Sequence, residues 1–290
     1  MVALSLRLAA ATGLLCGGAT AAPVAPVDQL STEEMEEMGL DEMDLRAAIE
    51  AAELMAPAFS DAAALPGWGA LREAIDDFDL VADVAVSVGD SRGELFRHTK
   101  GSTAFDTQMT IASATKWVSG VCVMRTVEEG YLTLDDLAST HLPYWTVDPA
   151  DARSRVTLRH LLSFVSGMSG STACPAEMDF NTCVADMYTR SATSWEPGEA
   201  VVYNEVHLMY AGAMAAAASN IPMEALFERY IFGPAQMTST FFTGPNGRPL
   251  LGSGLSTTPE DYGNFLRMYY NGELVGIATR TNVRDNKLRF

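Results

Sequence analysis

The chain has 290 residues, 48% of them apolar and 19% charged. That is enough apolar material for a sizeable core, as one large domain or two lobes, and it excludes a disordered, solvating chain. The formal charge of −18 argues against nucleic-acid phosphate as a partner and fits a well-solvated extracellular protein.

The chain opens on "MVALSLRLAAATGLLCGGATAAPVAP". One arginine, a small-residue apolar run and Ala19-Thr20-Ala21 predict a secretory signal over residues 1–21, cleaved after Ala21. The run is short and Gly-rich against the roughly 20 residues of a spanning helix, so no transmembrane span is expected in the mature chain. A secreted or extracytoplasmic location follows. Residues 22–66 form an acidic Met- and Ala-rich leader in which "STEEMEEMGLDEMDLRAAIEAAELMA" has helical spacing. It reads as a solvated leader or cap helix, with a partner-binding helix as the alternative. Pro57, Pro66 and Gly67 break it, and residues 67–290 form the remaining domain.

"WGALREAIDDF" (68–78) predicts a short helix. "LVADVAVSVGDSRGELFRHTKGS" (80–102) alternates on both sides of a Gly-Asp-Ser-Arg-Gly turn, which predicts a β-hairpin. Apolar spacing predicts helices over 113–129, ended by Gly130, within 156–170 with Thr157 near the start and Gly167 past the end, and over 205–219 and 222–233. "YLTLDDLASTHLPYW" is a turn-rich connection. Thr258-Pro259-Glu260-Asp261 starts a last helix. "ELVGIATRT" (273–281) is one weak strand candidate after the helices, and no internal repeat occurs.

Four cysteines are present. Cys16 leaves with the signal, and Cys122 falls in an apolar helical run as a core residue. Cys174 and Cys183 bracket "PAEMDFNT" in a loop-like region, so an oxidising compartment would let them bridge; two free thiols are the alternative. No CxxC or HExxH occurs, and His98, His141, His160 and His207 are scattered, so no metal site is expected.

In "TIASATKWVSGVC" (110–122), Ser113 stands three positions before Lys116. Positions i and i+3 share a helix face, and a serine at a helix N-terminus sits where backbone N–H groups can stabilise an oxyanion. A cleft-buried lysine can accept the seryl proton. A capping serine beside a surface lysine is the ordinary reading of such a pair. Lysine is scarce here, however: only Lys100, Lys116 and Lys287 occur, and Lys116 stands in an otherwise apolar helix.

The wider context resembles the serine β-lactamase / penicillin-binding-protein-like family, closest to its class C, esterase and D-aminopeptidase branch. "FDTQMTIASATKWVSGVCVMRTVEEGYLTLDD" is similar to the family's nucleophile segment, "F-R-I-A-S" followed by "L-V-E-E-G-K-L-x-L-D-D". "VTLRHLLSFVSGMSG" resembles "I-T-I-R-H-L-L-x-H-T-S-G-L", and "WEPGEAVVYNEVHLMYAG" resembles "P-G-x-x-F-x-Y-S-N-x-x-Y-x-L-L-G". "IFGPAQMTST" and "SGLSTTPEDYGNFLRMYYNG" follow in family order and spacing, so the likeness spans residues 80–272.

The resemblance implies a mixed α/β (α+β) fold, an antiparallel sheet lobe plus an all-helical lobe, with the site between them. It implies acyl transfer to Ser113 and hydrolysis of a small ester, amide or peptide, without a cofactor. Ser113 matches the nucleophile and its backbone N–H one oxyanion donor. Lys116 matches the activating amine, and Tyr203 the general base and later acid.

Two departures bear on substrate. The usual Tyr-x-Asn motif reads Tyr203-Asn204-Glu205, placing an acid where the family has an amide; Glu205 could pair with Lys116, and Asn204 could stand in for the amide. Phe164 and Val165 replace a His-Thr pair, a packing difference. The family's third motif, Lys/His-x-Gly, is not found after residue 205, and the likeness fades by about residue 277. The sequence thus reads as missing its C-terminal sheet strands, and weak activity or stability is expected of it. Small esters are the favoured substrates. A D-amino-acid peptidase or β-lactam hydrolase of the same fold, and a catalytically impaired binding or scaffold protein, are the alternatives.

Overall fold

The computed structural model describes residues 68–90 and 93–276. The signal, the acidic leader and most of the strand candidate at 273–281 lie outside the described residues. The chain divides into two compact units: one holds the residues up to Val88 and Leu95–Thr103, the other Gly89–Glu94 and everything from Ala104 on.

The first unit is a helix and a hairpin. Helix α1 (Gly69–Asp76) buries Leu71 and Ile75, one turn apart, and leaves its charged face outward. Strands β1 (Val84–Asp90) and β2 (Gly93–Lys100) form a two-stranded sheet, as the alternation predicts. Two strands alone bury too little, and the helix supplies the missing cover. Leu71, Ile75 and Phe96 form a small core against which Trp68, Val84, Val86 and Val88 pack. The Asp83 carboxylate accepts from Ser102 N–H and Oγ, which holds its pKa below the usual carboxylate value and ties the hairpin's two ends together.

The second unit is mostly helical. Strand β3 (Met109–Thr110) leads through a 3-10 turn, Ala112–Ala114, into helix α2 (Thr115–Glu128). Short helices α3 (Ala138–His141) and α4 (Leu158–Leu162) follow. Then come β4 (Met168–Ser169), α5 (Phe180–Arg190), β5 (Ala192–Thr193) and α6 (Val206–Ser219). Helix α7 (Met223–Phe227) runs into a π turn, Glu228–Phe232. Strands β6 (Phe241–Phe242) and β7 (Leu255–Thr257) precede α8 (Pro259–Asn271).

Helix α6 is the centre. Its "VHLMYAGAMAAAAS" buries residues all round, because α2, α3, α4, α5 and α7 pack against it. Small side chains let those neighbours approach. At Gly212 an added Cβ would come within 2.2 Å of Leu251 Cδ1, so glycine admits the segment that carries Leu251. Asn220 ends the helix in the left-handed conformation, as a C-terminal Asn can. Trp145 stacks beside Tyr188 and edge-on to Tyr210, and closes the far side of this core.

Two expectations need correction. The helix predicted from Thr157 to just before Gly167 stops earlier, at Leu162. Thr157 and His160 cap its start reciprocally, but Phe164 takes a φ of 56° and Gly167 one of 75°, which turns the chain out into β4. The reading of little strand after the hairpin also fails. β3 pairs with β7 and β7 with β6, both antiparallel, and β4 pairs with β5. These strands are two or three residues long, too short for alternation to show.

Candidate active site

Ala112 has a φ of 43°. A non-glycine residue there costs about 1–2 kcal/mol. The kink stands Ser113 exposed at the turn that enters α2. Two hydrogen bonds sew this turn to β7. Ile111 N–H donates to Leu255 O at 3.1 Å, and Leu255 N–H donates to the buried Thr115 Oγ1 at 3.1 Å.

Lys116 lies one turn below and is only 4% exposed. Its Nζ donates to Ser113 Oγ at 3.1 Å and to Gly252 O at 2.8 Å. The ammonium also stands 4.6 Å from the Tyr203 ring centroid, where the π face attracts a cation. Among the described residues, no carboxylate comes within ion-pair distance of Lys116. The structure therefore brings Ser113, Lys116 and Tyr203 together, all within the second unit.

The other two residues of the Tyr-Asn-Glu motif face elsewhere. Asn204 Nδ2 donates to Met168 O at 3.0 Å, and its Oδ1 accepts from Val206 N–H at 3.0 Å and from His207 Nδ1 at 2.7 Å. It satisfies the first N–H of α6 and holds β4. Glu205 accepts from Thr172 Oγ1 at 3.1 Å and makes no ion pair with Lys116. Its carbons pack on Gly252: a Cβ added there would lie 2.7 Å from Glu205 Cβ and Cγ. Residue 205 thus braces the backbone whose carbonyl holds Lys116.

Sequence reasoning did not find Gly252, because a carbonyl acceptor has no residue signature. The "S-G-L-S-T" phrase that carries it was the available signal. Phe164 is the packing difference that the sequence reading expects, and the structure shows what it packs against. Phe164 is fully buried, its ring centroid 5.4 Å from Tyr203 and 5.2 Å from His207, and its carbonyl accepts from Val202 N–H at 2.8 Å. It is the floor under Tyr203. His207 is buried, and burial pushes its pKa down to about 4. Because Asn204 Oδ1 can only accept, His207 Nδ1 carries the proton.

Cys174 and Cys183 are disulfide-bonded, with Cα atoms 5.6 Å apart. Cys122 is a free, buried thiol in α2 whose pKa burial raises. Among the described residues there is no group of three side chains suited to a metal, and no helix long and apolar enough to cross a membrane.

The Beta-lactamase family model matches residues 71–288. The chain belongs to the Beta-lactamase family. The match runs past residue 277, so the family likeness extends further than the segment-by-segment resemblance does. A candidate β-lactamase of Bacteroides dorei DSM 17855 superposes with a TM-score of 0.62 at 29% identity, over 76% of this chain and 69% of that one. The D-amino acid amidase of Ochrobactrum anthropi SV3 superposes with a TM-score of 0.58 at 18% identity, over 73% of each chain. Protein flp of Staphylococcus aureus (strain N315) is 28% identical over 151 residues, 49% of this chain but 29% of its own length. This Beta-lactamase-family chain thus spans under a third of that curated relative. Its mixed helix and antiparallel-sheet architecture is the serine β-lactamase/transpeptidase fold, and the family is one of hydrolases.

Proposed function

We propose that this chain is a serine hydrolase that forms an acyl-enzyme at Ser113. The observation that carries this is an exposed Ser113 Oγ 3.1 Å from the buried Lys116 Nζ, which Gly252 O fixes from behind. Ser113 Oγ attacks the acyl carbon, and the bond to the leaving alcohol or amine breaks. The seryl proton passes by way of Lys116 and Tyr203 to that leaving group. Water then attacks the Ser113 ester, which releases the acid and restores the hydroxyl. The Ser113 backbone N–H, in the first turn above α2, is the oxyanion donor assigned here.

Small esters are the favoured substrates. The Asn204 amide is engaged by Met168 O and the α6 terminus, and Glu205 by Thr172, so neither offers an amide to a substrate amide group. D-amino-acid amides are the second reading, supported by the likeness to the Ochrobactrum amidase. The test is labelling with a fluorescent phosphonate, with turnover of p-nitrophenyl esters set against D-phenylalanine amide and nitrocefin. Ser113→Ala should abolish both labelling and turnover; a labelled Ser113→Ala protein sinks the reading. Labelled wild type with no turnover would instead support the impaired binding protein.

We also infer export, supported by the signal-like first 21 residues and the Cys174–Cys183 bridge. Mass spectrometry of the natively expressed protein should find an N-terminus at Ala22; retention of Met1 counts against it.

A further inference from the structure

The structure assigns Arg248 and the Cys174–Cys183 loop a positioning role for the Lys116–Ser113 pair, an inference that rests on the serine-hydrolase reading above. Arg248 is 4% exposed. Its Nη1 donates to Pro175 O and Met178 O, both at 2.8 Å, and its Nη2 to Cys174 O at 3.3 Å. Two residues earlier, Asn246 Nδ2 donates to Ala176 O at 3.0 Å. Four carbonyls of residues 174–178 therefore converge on two side chains of residues 246–248. Among the described residues no carboxylate pairs with Arg248, so the loop's dipoles are what stabilise this buried cation.

The loop is itself fixed at both ends. The disulfide joins them, Arg190 Nη2 donates to Ala173 O at 2.8 Å, and Asp179 caps α5 by accepting from Thr182 N–H at 2.8 Å. Just after Arg248, Gly252 sits inside a closed turn, in which Leu250 O accepts from Gly254 N–H at 2.8 Å and Ser253 N–H at 3.3 Å. That turn aims Gly252 O at Lys116 Nζ. The segment that leads into the loop braces Gly252 from a second side, since Thr172, two residues before Cys174, holds the Glu205 that packs on Gly252. Neither Arg248 nor the cysteines touch Ser113 or Lys116. They set where the Gly252 carbonyl stands, and with it the distance from Lys116 to Ser113.

The experiment uses the full chain, with folding checked by circular dichroism. Phosphonate labelling rates and ester kcat and KM are measured for Arg248→Met, Arg248→Lys, Asn246→Gly and the protein reduced with a phosphine. Arg248→Met should lower the labelling rate and kcat about tenfold with KM little changed, and Arg248→Lys should recover part of the loss. Reduction should lower kcat in the same way. A folded Arg248→Met protein that labels at the parental rate overturns the inference. Should Arg248→Met not fold, Asn246→Gly decides. Asn246 is exposed with a φ of 55°, which glycine accepts, so the fold should survive. A fall of about two- to threefold supports the clamp, and an unchanged rate overturns it. Ser113→Ala separates the two readings. Persistent labelling there defeats the hydrolase assignment, whereas lost labelling there with unchanged clamp variants defeats only the clamp.

Discussion

Lys116→Met is expected to remove nearly all hydrolysis while leaving the melting temperature at or above that of the parent. Methionine matches the lysine stem in length but cannot hydrogen-bond Ser113 Oγ or move its proton. Positioned acid–base groups contribute about 10²–10⁴-fold, so kcat should fall by that order. The stability side has two opposed parts. Gly252 O loses its 2.8 Å donor, which costs about 1–3 kcal/mol for a buried carbonyl. Against this, a buried amine without a carboxylate partner among the described residues is removed, and keeping such a polar group out of water costs a comparable amount. The second effect is at least as large. Lys116→Arg is the informative control, since a guanidinium keeps the charge but cannot give up its proton. Full activity in Lys116→Arg would show that Lys116 acts only as a charge. A large fall in melting temperature for Lys116→Met would show that the ammonium stabilises the fold.

Stability is expected to drop by about 3 kcal/mol between pH 6.5 and pH 4, chiefly because of His207. Its folded pKa, about 4, lies below the unfolded value of 6.5 because burial disfavours the imidazolium. The unfolded chain therefore binds the proton first as pH falls. The contribution is complete above pH 6.5 and is lost progressively toward pH 4. Burial lowers His160 too, which adds in the same direction. Asp151, hydrogen-bonded by Arg153, and Asp179, hydrogen-bonded by Thr182 N–H, also have lowered values. They act in a lower window, as pH falls below their unfolded value of 3.8. Urea unfolding at pH 7 and pH 4.5 measures the slope. His207→Gln keeps a donor for Asn204 and should flatten it. An unchanged slope in that variant would assign the acid sensitivity to other groups.

The consequence would reach the site. His207 packs against Phe164, Phe164 lies under Tyr203, and Asn204 links His207 to β4. Protonating His207 in the folded chain, which happens only near pH 4, would disturb the floor on which Tyr203 rests, so activity should fall at the lower end of the range over which stability declines.

The sequence by itself determined whatever depends on near neighbours along the chain. The Ser113–Lys116 pairing is an i,i+3 relation on a helix start, and it stands at 3.1 Å. The caps at Thr157 and Thr258, the helix end at Gly130 and the 83–102 hairpin closure are similarly local. The cysteine bridge spans nine positions and was open between two readings until the fold joined it. Tertiary structure decided the rest. Gly252 O reaches Lys116 across 136 positions, and Ile111 and Thr115 meet Leu255 across a similar gap. A backbone group stands on at least one side of each contact, and every residue has the same backbone, so no composition or periodicity announces them. Glu205 shows the point from the side-chain end. Its charge suggested a partner in Lys116, but the packing of its carbons on Gly252 and the hydroxyl of Thr172 took it elsewhere. Which of two available partners a side chain meets is settled by where the intervening chain can pack, and that is a property of the fold.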